Sequence, residues 1–114
     1  MPAGTYNLVI EQGATFSLTL TVLENSVAKD LTGFKARAEA RTSHKSSTVL
    51  ITFTAQITDP TNGVIVLSLT PAVTKALDPK KGGVWDLELE DVGGDVIRLL
   101  QGIVTISPEV TKET

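Results

Sequence analysis

Hydrophobic and polar residues alternate along most of this chain, and alternation with a period of two is the pattern of half-buried β-strands. The segment TFSLTLTV (15–22) shows it best, because its Phe, Leu and Val residues alternate with serine and β-branched threonine. Residues 6–10 repeat the pattern and place Tyr6, Leu8 and Ile10 on the predicted inner face. Similar alternation in later segments brings the prediction to about seven short strands.

The segment FKARAEAR (34–41) is open to two interpretations. Ala, Lys, Arg and Glu are good helix formers, so propensity alone favours a helix. A helix would scatter the alanines around its axis, whereas a strand collects Phe34, Ala36, Ala38 and Ala40 on one side. We therefore predict a strand.

Two further strands, 49–57 and 64–69, flank the sequence DPTNG, whose Pro, Asn and Gly are typical turn residues. A hairpin with a longer loop keeps every core residue on the core side. The pairs that it predicts are Ile57 with Ile65, Ala55 with Leu67, and Phe53 with Leu69.

The sequence TPAVTKALDP (70–79) interrupts the alternation and predicts one or two turns of helix near 71–77. Thr70 is a capping residue, Pro71 suits the first helical position, and Pro79 prevents continuation. The apolar stripe of this helix would consist of Val73, Ala76 and Leu77.

The stretch KKGGVWDLELED (80–91) combines a basic glycine turn with several carboxylates. As a strand it turns three apolar residues inward, Trp85, Leu87 and Leu89. It turns three acids outward, Asp86, Glu88 and Glu90.

The strand DVIRLLQGIVTIS (95–107) follows. A three-residue loop, Val92-Gly93-Gly94, keeps core residues opposite core residues, and it uses a glycine in the left-handed conformation. The predicted pairs are Leu89 with Ile97, Glu88 with Arg98, and Leu87 with Leu99. We place a β-bulge at Gly102, where the inward parity changes toward Val104 and Ile106.

These elements predict an all-β fold, an antiparallel β-sandwich of about seven strands with Greek-key connections and one helical turn near 71–77. A small barrel is the alternative. We expect a single domain over residues 1–114, with short flexible termini at 1–4 and 108–114.

Composition narrows the function classes. The apolar fraction of 41 % is that of a globular chain, and the net charge of −3 is spread over the sequence, which disfavours direct nucleic-acid binding. The chain has no cysteine, so disulfides and thiolate chemistry are excluded. We see neither a secretory signal nor a membrane span, and we expect no membrane association.

Two features of 80–91 are candidates for a chemical site, the basic glycine turn and the row of acids. The Lys-Gly turn lacks the Walker spacing, so we expect no phosphate site. Neighbouring acids on one strand face, from Asp86 through Glu88 to Glu90, stand roughly 7 Å apart, which is too wide for one ion without other ligands. We therefore expect a solvated face paired to Arg98, with no metal and no cofactor.

The single histidine, His44, lies in the polar loop TSHKSST beside several serines. No partner acid or strained nucleophile turn accompanies it, so we expect no catalytic role. Trp85 shares the parity of Leu87 and Leu89 and is predicted to lie in the core with Tyr6. We predict that the protein is not an enzyme.

Several motifs resemble those of a known family of tailed-bacteriophage proteins. They are a Gly before the first long strand (Gly13), DLTG (30–33), GVIVLSLT (63–70), GVWDLEL (83–89) and GIVTISPEVT (102–111). In this pattern the chain resembles small phage structural proteins and the N-terminal immunoglobulin-like domain of phage baseplate upper proteins. Trp85 stands where many relatives carry Tyr.

The resemblance implies an Ig-like domain in a virion structural protein, an adaptor or connector in the tail, the baseplate or the tail-fibre attachment, assembled in the host cytoplasm. It implies other virion proteins as partners, and copies of the chain in a symmetric ring or trimer. The alternatives are a capsid decoration protein and a host-facing carbohydrate-binding module. For the last we expect exposed aromatics, which the predicted inward positions of Tyr6 and Trp85 do not supply.

Interface residues are predicted from polarity and exposure. We expect them on the N-terminal arm, the 43–48 loop, the 91–95 turn and the C-terminal tail. The candidates are Tyr6, His44, Lys45, Asp91, Asp95, Glu109 and Thr111.

Overall fold

The computed structural model describes residues 3–111, which contain eleven strands, one α-helix and one 3-10 turn. The strands are β1 (Gly4–Thr5), β2 (Leu8–Glu11), β3 (Phe16–Thr21), β4 (Leu23–Glu24), β5 (Val27–Ala28), β6 (Lys35–Arg41), β7 (Val49–Thr52), β8 (Thr54–Asp59), β9 (Val64–Leu69), β10 (Gly83–Glu90) and β11 (Val96–Ser107). The helix α1 is Pro71–Lys75, and the 3-10 turn is Pro60–Asn62.

Two sheets form a sandwich. Sheet A has the order β1–β11–β10–β6–β7, with β2 also paired to β11, and sheet B has the order β3–β9–β8. An immunoglobulin sandwich places its strands in the same way, with B, E and D in one sheet and G, F, C and C′ in the other. The predicted Ig-like sandwich is therefore confirmed. The departure from antiparallel pairing is that β1 and β2 run parallel to β11.

The segment 34–41 is a strand, as predicted, and Ala38 and Ala40 are buried against the core. The predicted strand 49–57 is instead divided into β7 in sheet A and β8 in sheet B. The division falls at Phe53, whose N–H donates to the carbonyl of Ala38. A continuous strand could not belong to both sheets, so the chain changes layer at this residue.

Three aromatic rings cross the interior between the sheets. The ring of Phe53 lies 5.8 Å from that of Phe16 in sheet B and 6.1 Å from that of Trp85 in sheet A, measured between centroids. Both pairs are tilted, an arrangement that aromatic quadrupoles favour. The layer change at Phe53 thus supplies the central ring of the core.

The hairpin of β8 and β9 has the predicted register in two of its three pairs, Ile57 with Ile65 and Ala55 with Leu67. The third pair, Phe53 with Leu69, does not form, because Phe53 lies in the crossover. The loop is the 3-10 turn followed by Gly63, whose φ of 70° is in the left-handed region.

The hairpin of β10 and β11 confirms the predicted loop. Leu89 pairs with Ile97 and Glu88 with Arg98, and Gly94 is left-handed with φ of 94°. The predicted pair of Leu87 with Leu99 is wrong, because Leu87 pairs with Leu100. The parity change therefore occurs in the register shift next to Leu99, and the predicted bulge at Gly102 is wrong.

Gly102 has a different role. It pairs with Trp85, and a Cβ on Gly102 would lie 2.2 Å from the carbonyl oxygen of Tyr6. This close approach lets the indole N–H of Trp85 donate to that carbonyl at 2.7 Å. The prediction for the Tyr6 side chain is wrong, because it is 46 % exposed. The alternation fails there because the chain leaves β1 at Tyr6 and resumes pairing at Leu8.

Helix α1 begins as predicted, with the Thr70 hydroxyl accepting from the Val73 N–H at 3.4 Å. The predicted apolar stripe is wrong for Val73 and Ala76, which are exposed. The buried position is Thr74, whose hydroxyl accepts from the Gly13 N–H at 3.1 Å and donates to the Ala14 carbonyl at 2.8 Å. A short helix held by several polar contacts, including two from the side-chain amide of Gln12, does not need an apolar stripe.

Two residues of the segments predicted as flexible termini form backbone contacts in the structure. Gly4, expected in a flexible arm, pairs with Leu100. Glu109, expected in a flexible tail, donates its N–H to the side-chain oxygen of Gln12 at 3.0 Å. The other part of this prediction concerns residues 1–2 and 112–114, which lie outside the described range.

The contact at Gly102 predicts a large effect for a small substitution. Gly102→Ala should lower the free energy of unfolding by about 1–3 kcal/mol, because the methyl group must displace the backbone at Tyr6. The measurement is denaturant unfolding, with amide exchange at Tyr6 to locate the change.

The control is Gly93→Ala. Its added Cβ would meet the Asp91 carboxylate oxygen at 3.5 Å, an ordinary contact, so the free energy of unfolding should change by less than about 0.5 kcal/mol. Equal effects of the two substitutions would contradict the proposed role of Gly102.

Candidate interaction surfaces

The outer face of sheet A carries a lattice of charged side chains from three adjacent strands. β6 places its basic residues beside the acids of β10, and Arg98 reaches them from β11. The ion pairs are Arg37 Nε to Glu88 Oε1 at 2.9 Å, Arg37 Nη1 to Glu90 Oε1 at 3.2 Å, Arg41 Nη2 to Glu39 Oε1 at 2.9 Å, and Arg98 Nε to Asp86 Oδ2 at 3.3 Å.

This lattice corrects one expectation about the acids of β10. Glu88 faces Arg98 in the register, as predicted, but its carboxylate pairs with Arg37 on the other neighbouring strand. Arg98 pairs instead with Asp86. Exposed pairs of this kind contribute little each, so their main effect is to orient the side chains of the face.

A shallow depression of about 380 Å³ lies in this face, and His44 and Ser43 form part of its wall. Each of the three arginines that line the depression forms an ion pair with a carboxylate, as is expected of a charge-balanced surface. His44 is exposed, as predicted, and Lys45 next to it is exposed as well.

Asp86 is a carboxyl group in the depression whose pKa is raised. Burial is the largest cause, and the neighbouring charge of Glu88 adds to it, while Arg98 opposes both. The environment as a whole therefore disfavours the ionised carboxylate, although a guanidinium is in contact with it.

The tip of the β10–β11 hairpin forms a second surface. Asp91 and Asp95 border a notch of about 170 Å³ that also contains Phe34 and Ile97. The Asp91 carboxylate accepts the N–H of Asp95 at 2.9 Å, so it holds the turn closed. The ammonium group of Lys29 lies 5.7 Å from the centre of the Phe34 ring, over the same notch.

The remaining candidates lie along the sheet edge and near the tail. Tyr6 is half-exposed beside β11, and its backbone is engaged with Gln101 and Trp85. Glu109 is partly buried near Gly13, and Thr111 is exposed.

The seven predicted residues do not form one site. In β10, Val84 pairs with Arg41 just before the 43–48 loop, and Glu90 lies just before the 91–95 turn. Six strand steps between these positions correspond to about 20 Å. His44 and Lys45 therefore lie at one end of the sandwich with the tail, and Asp91 and Asp95 lie at the other.

Within residues 3–111, no group of three or more His, Cys, Asp or Glu side chains is arranged to hold a metal ion. The α-helix in this part of the chain is also far too short to cross a membrane.

The architecture is that of a small immunoglobulin-like β-sandwich domain. Residues 7–80 match the model of the BppU N-terminal domain, so the chain belongs to this family, the N-terminal domains of phage baseplate upper proteins. Comparison with curated proteins found no match.

Membership identifies a structural protein associated with the phage baseplate, and hence a virion component that contacts other virion proteins. The match ends at residue 80, so β10 and β11 lie beyond it. Those strands nevertheless occupy the middle of sheet A, and the sandwich depends on them.

The raised pKa of Asp86 predicts the sign of a pH effect. A folded-state pKa above the ordinary value of 3.8 means that ionisation opposes folding at neutral pH and ceases to do so as the pH falls through the folded pKa. Asp86→Asn should therefore be slightly more stable than the parent at pH 7, by less than about 1 kcal/mol, and the gain should vanish in acid. Denaturant unfolding across pH measures it.

Asp30→Asn is the control with the opposite sign. The pKa of Asp30 is lowered because its carboxylate accepts bonds from the Thr32 hydroxyl and N–H. This variant should lose stability at pH 7, with the loss disappearing as the pH falls through the folded pKa, below 3.8. A loss at pH 7 for both variants would contradict the assignment for Asp86.

Proposed function

We propose that the protein is a non-enzymatic adaptor or connector in the tail, the baseplate or the tail-fibre attachment of the virion. The observation that supports this most is the separation of its polar loops. The 43–48 loop and the 91–95 turn lie at opposite ends of a molecule whose longest dimension is 46 Å. Each end can contact a different neighbour while the buried core remains unchanged.

We assign these contacts to two groups of residues, one at each end of the sandwich, and to one residue at the edge of sheet A. His44, Lys45, Glu109 and Thr111 belong to one end, and Asp91 and Asp95 to the other. Tyr6 lies between them at the edge of sheet A. We propose that copies of the chain assemble in the host cytoplasm into a symmetric ring or trimer, in which repetition strengthens individually weak contacts.

A carbohydrate-binding module is the second candidate, and one observation favours it. Tyr6 is an exposed aromatic residue, with Asn7 and Gln101 nearby on the same edge. A planar ring flanked by amides is a surface on which a sugar could stack and form hydrogen bonds. Binding of the isolated protein to a glycan array, lost on Tyr6→Ala, would favour this function over the connector.

If the protein is a connector, the chain should be found in tails and should contact a different neighbouring protein at each end. Mass spectrometry of separated tails and capsids should recover it with tails. Lysine cross-linking of those tails should connect Lys45 at one end and Lys35 at the other to two different neighbouring chains, because the two ends contact different partners.

Recovery with capsids alone would contradict the connector and support capsid decoration, which could use the same fold. Recovery with tails but with cross-links from a single end would show a terminal component and would also contradict a connecting role. Purified protein cross-linked in the same way is the control, since contacts with other virion proteins are absent from that sample.

A further inference from the structure

The four outer edges of the two sheets are not equally protected against pairing with another chain. β7 has four residues and a register shift beside it, β8 has a register shift and ends in Asp59, and the β1–β2 edge is interrupted at Tyr6 and Asn7. Bulges, breaks, charges and shortness are the features that prevent association of sheet edges. β3 has none of them.

β3 is a regular and uncharged strand. Its six residues, Phe16–Thr21, pair with β9 without a register shift, and they include neither proline nor a charged side chain. Within the described part of the chain β3 has β9 as its strand neighbour and no strand on its other side. Hydrogen bonds fix both ends of β3. Before it, the Ala14 carbonyl accepts from the Thr74 hydroxyl, and after it, Val22 donates its N–H to the Gly63 carbonyl and accepts the N–H of Lys29.

The free backbone groups of β3 can be assigned. The N–H of Val22 donates to Gly63, opposite it on the β9 side. The backbone N–H and C=O groups of successive residues point to opposite sides of a strand. Leu18 and Leu20, which have the same parity as Val22, therefore direct their N–H and C=O groups toward β9. Ser17, Thr19 and Thr21 therefore direct their N–H and C=O groups to the open edge.

The side chains also stop short of full burial at this edge. Phe16, Leu18 and Leu20 face the core but are partly exposed, whereas Ile65 and Leu67 on the central strand β9 are completely buried. A strand added beside β3 would cover the partly exposed residues and satisfy the free backbone groups together.

We propose that a second copy of this chain occupies the edge, with β3 pairing antiparallel to β3 across a two-fold axis. The strand is self-complementary, because pairing Ser17 with Thr19 sets Leu18 opposite itself, and pairing Ser17 with Thr21 sets Thr19 opposite itself. Both registers keep the apolar residues on the core face. The neutral strand avoids the repulsion that a chain of net charge −3 meets elsewhere.

The result would be a continuous sheet of six strands, three from each copy. The inference rests on the geometry of β3 and not on the proposed place in the virion.

The test is the mass of the full-length protein in solution, measured by sedimentation equilibrium over a range of concentrations. The parent protein should form dimers, and Thr19→Lys should weaken dimerisation at least about tenfold, since the two lysines would lie directly opposite each other in one register and diagonally across the axis in the other. Thr19 is exposed, so at concentrations where both proteins are monomeric its replacement should leave the unfolding transition nearly unchanged. Exchange of the Thr19 amide should slow as the parent protein is concentrated.

The matched control is Thr54→Lys, the same substitution at an exposed position on the opposite edge of sheet B. This variant should dimerise like the parent. A parent protein that stays monomeric up to about 1 mM would overturn the proposal. The dissociation constant of the dimer would then exceed about 1 mM, which corresponds to a free energy of dimerisation weaker than about −4 kcal/mol. A dimer that survives Thr19→Lys, or is lost on Thr54→Lys, would overturn it as well, as would pairing of β3 only with a different virion protein.

Discussion

The hydrogen bond from the Trp85 indole to the Tyr6 carbonyl is the contact on which the closure of sheet A depends. It requires Gly102 beneath it, because any side chain there would push the first strand away from β11. The same indole packs on Phe53, where the chain changes sheets, and Phe53 packs on Phe16 in sheet B. One line of aromatic contacts therefore joins the start of the chain, its last two strands, its layer crossover and the opposite sheet.

Because the core is held by this line of aromatic rings, the loops and the outer face of sheet A can change in sequence without loss of the fold. The 43–48 loop, the 91–95 turn and the outer face of sheet A contribute little to the buried aromatic line, so they can carry contacts to neighbours without loss of the fold. The charged lattice around Arg37 is nearly balanced within itself, and it therefore suits an exposed and soluble face better than a binding site. The uncharged edge at β3 is the contrasting surface, and it lies on the other sheet.

Much of the candidate site was predictable residue by residue, but its arrangement was not. His44, Lys45 and Asp95 are exposed, as their polarity predicts, whereas Asp91 is partly buried. Their separation to opposite ends depends on the strand order of sheet A, which local patterns do not contain. The partner of Glu88 was missed for the same reason, since Arg37 is distant in sequence and is brought beside β10 only by the pairing of β6.

Local sequence patterns predict most of the longer strands, the helical cap at Thr70, and the β10–β11 loop with Gly94, because alternation, capping and turn chemistry act over a few neighbouring residues. Tertiary structure alone decided where the strand 49–57 divides, which way Tyr6 faces, why Thr74 is buried, and where the parity of β11 changes. The first three of these depend on a group far away in sequence: Ala38 for Phe53, Gly102 and Trp85 for Tyr6, and Gly13 for Thr74. The physical reason is that a backbone group or a buried hydroxyl must find a hydrogen-bond partner, and the fold determines which one is within reach.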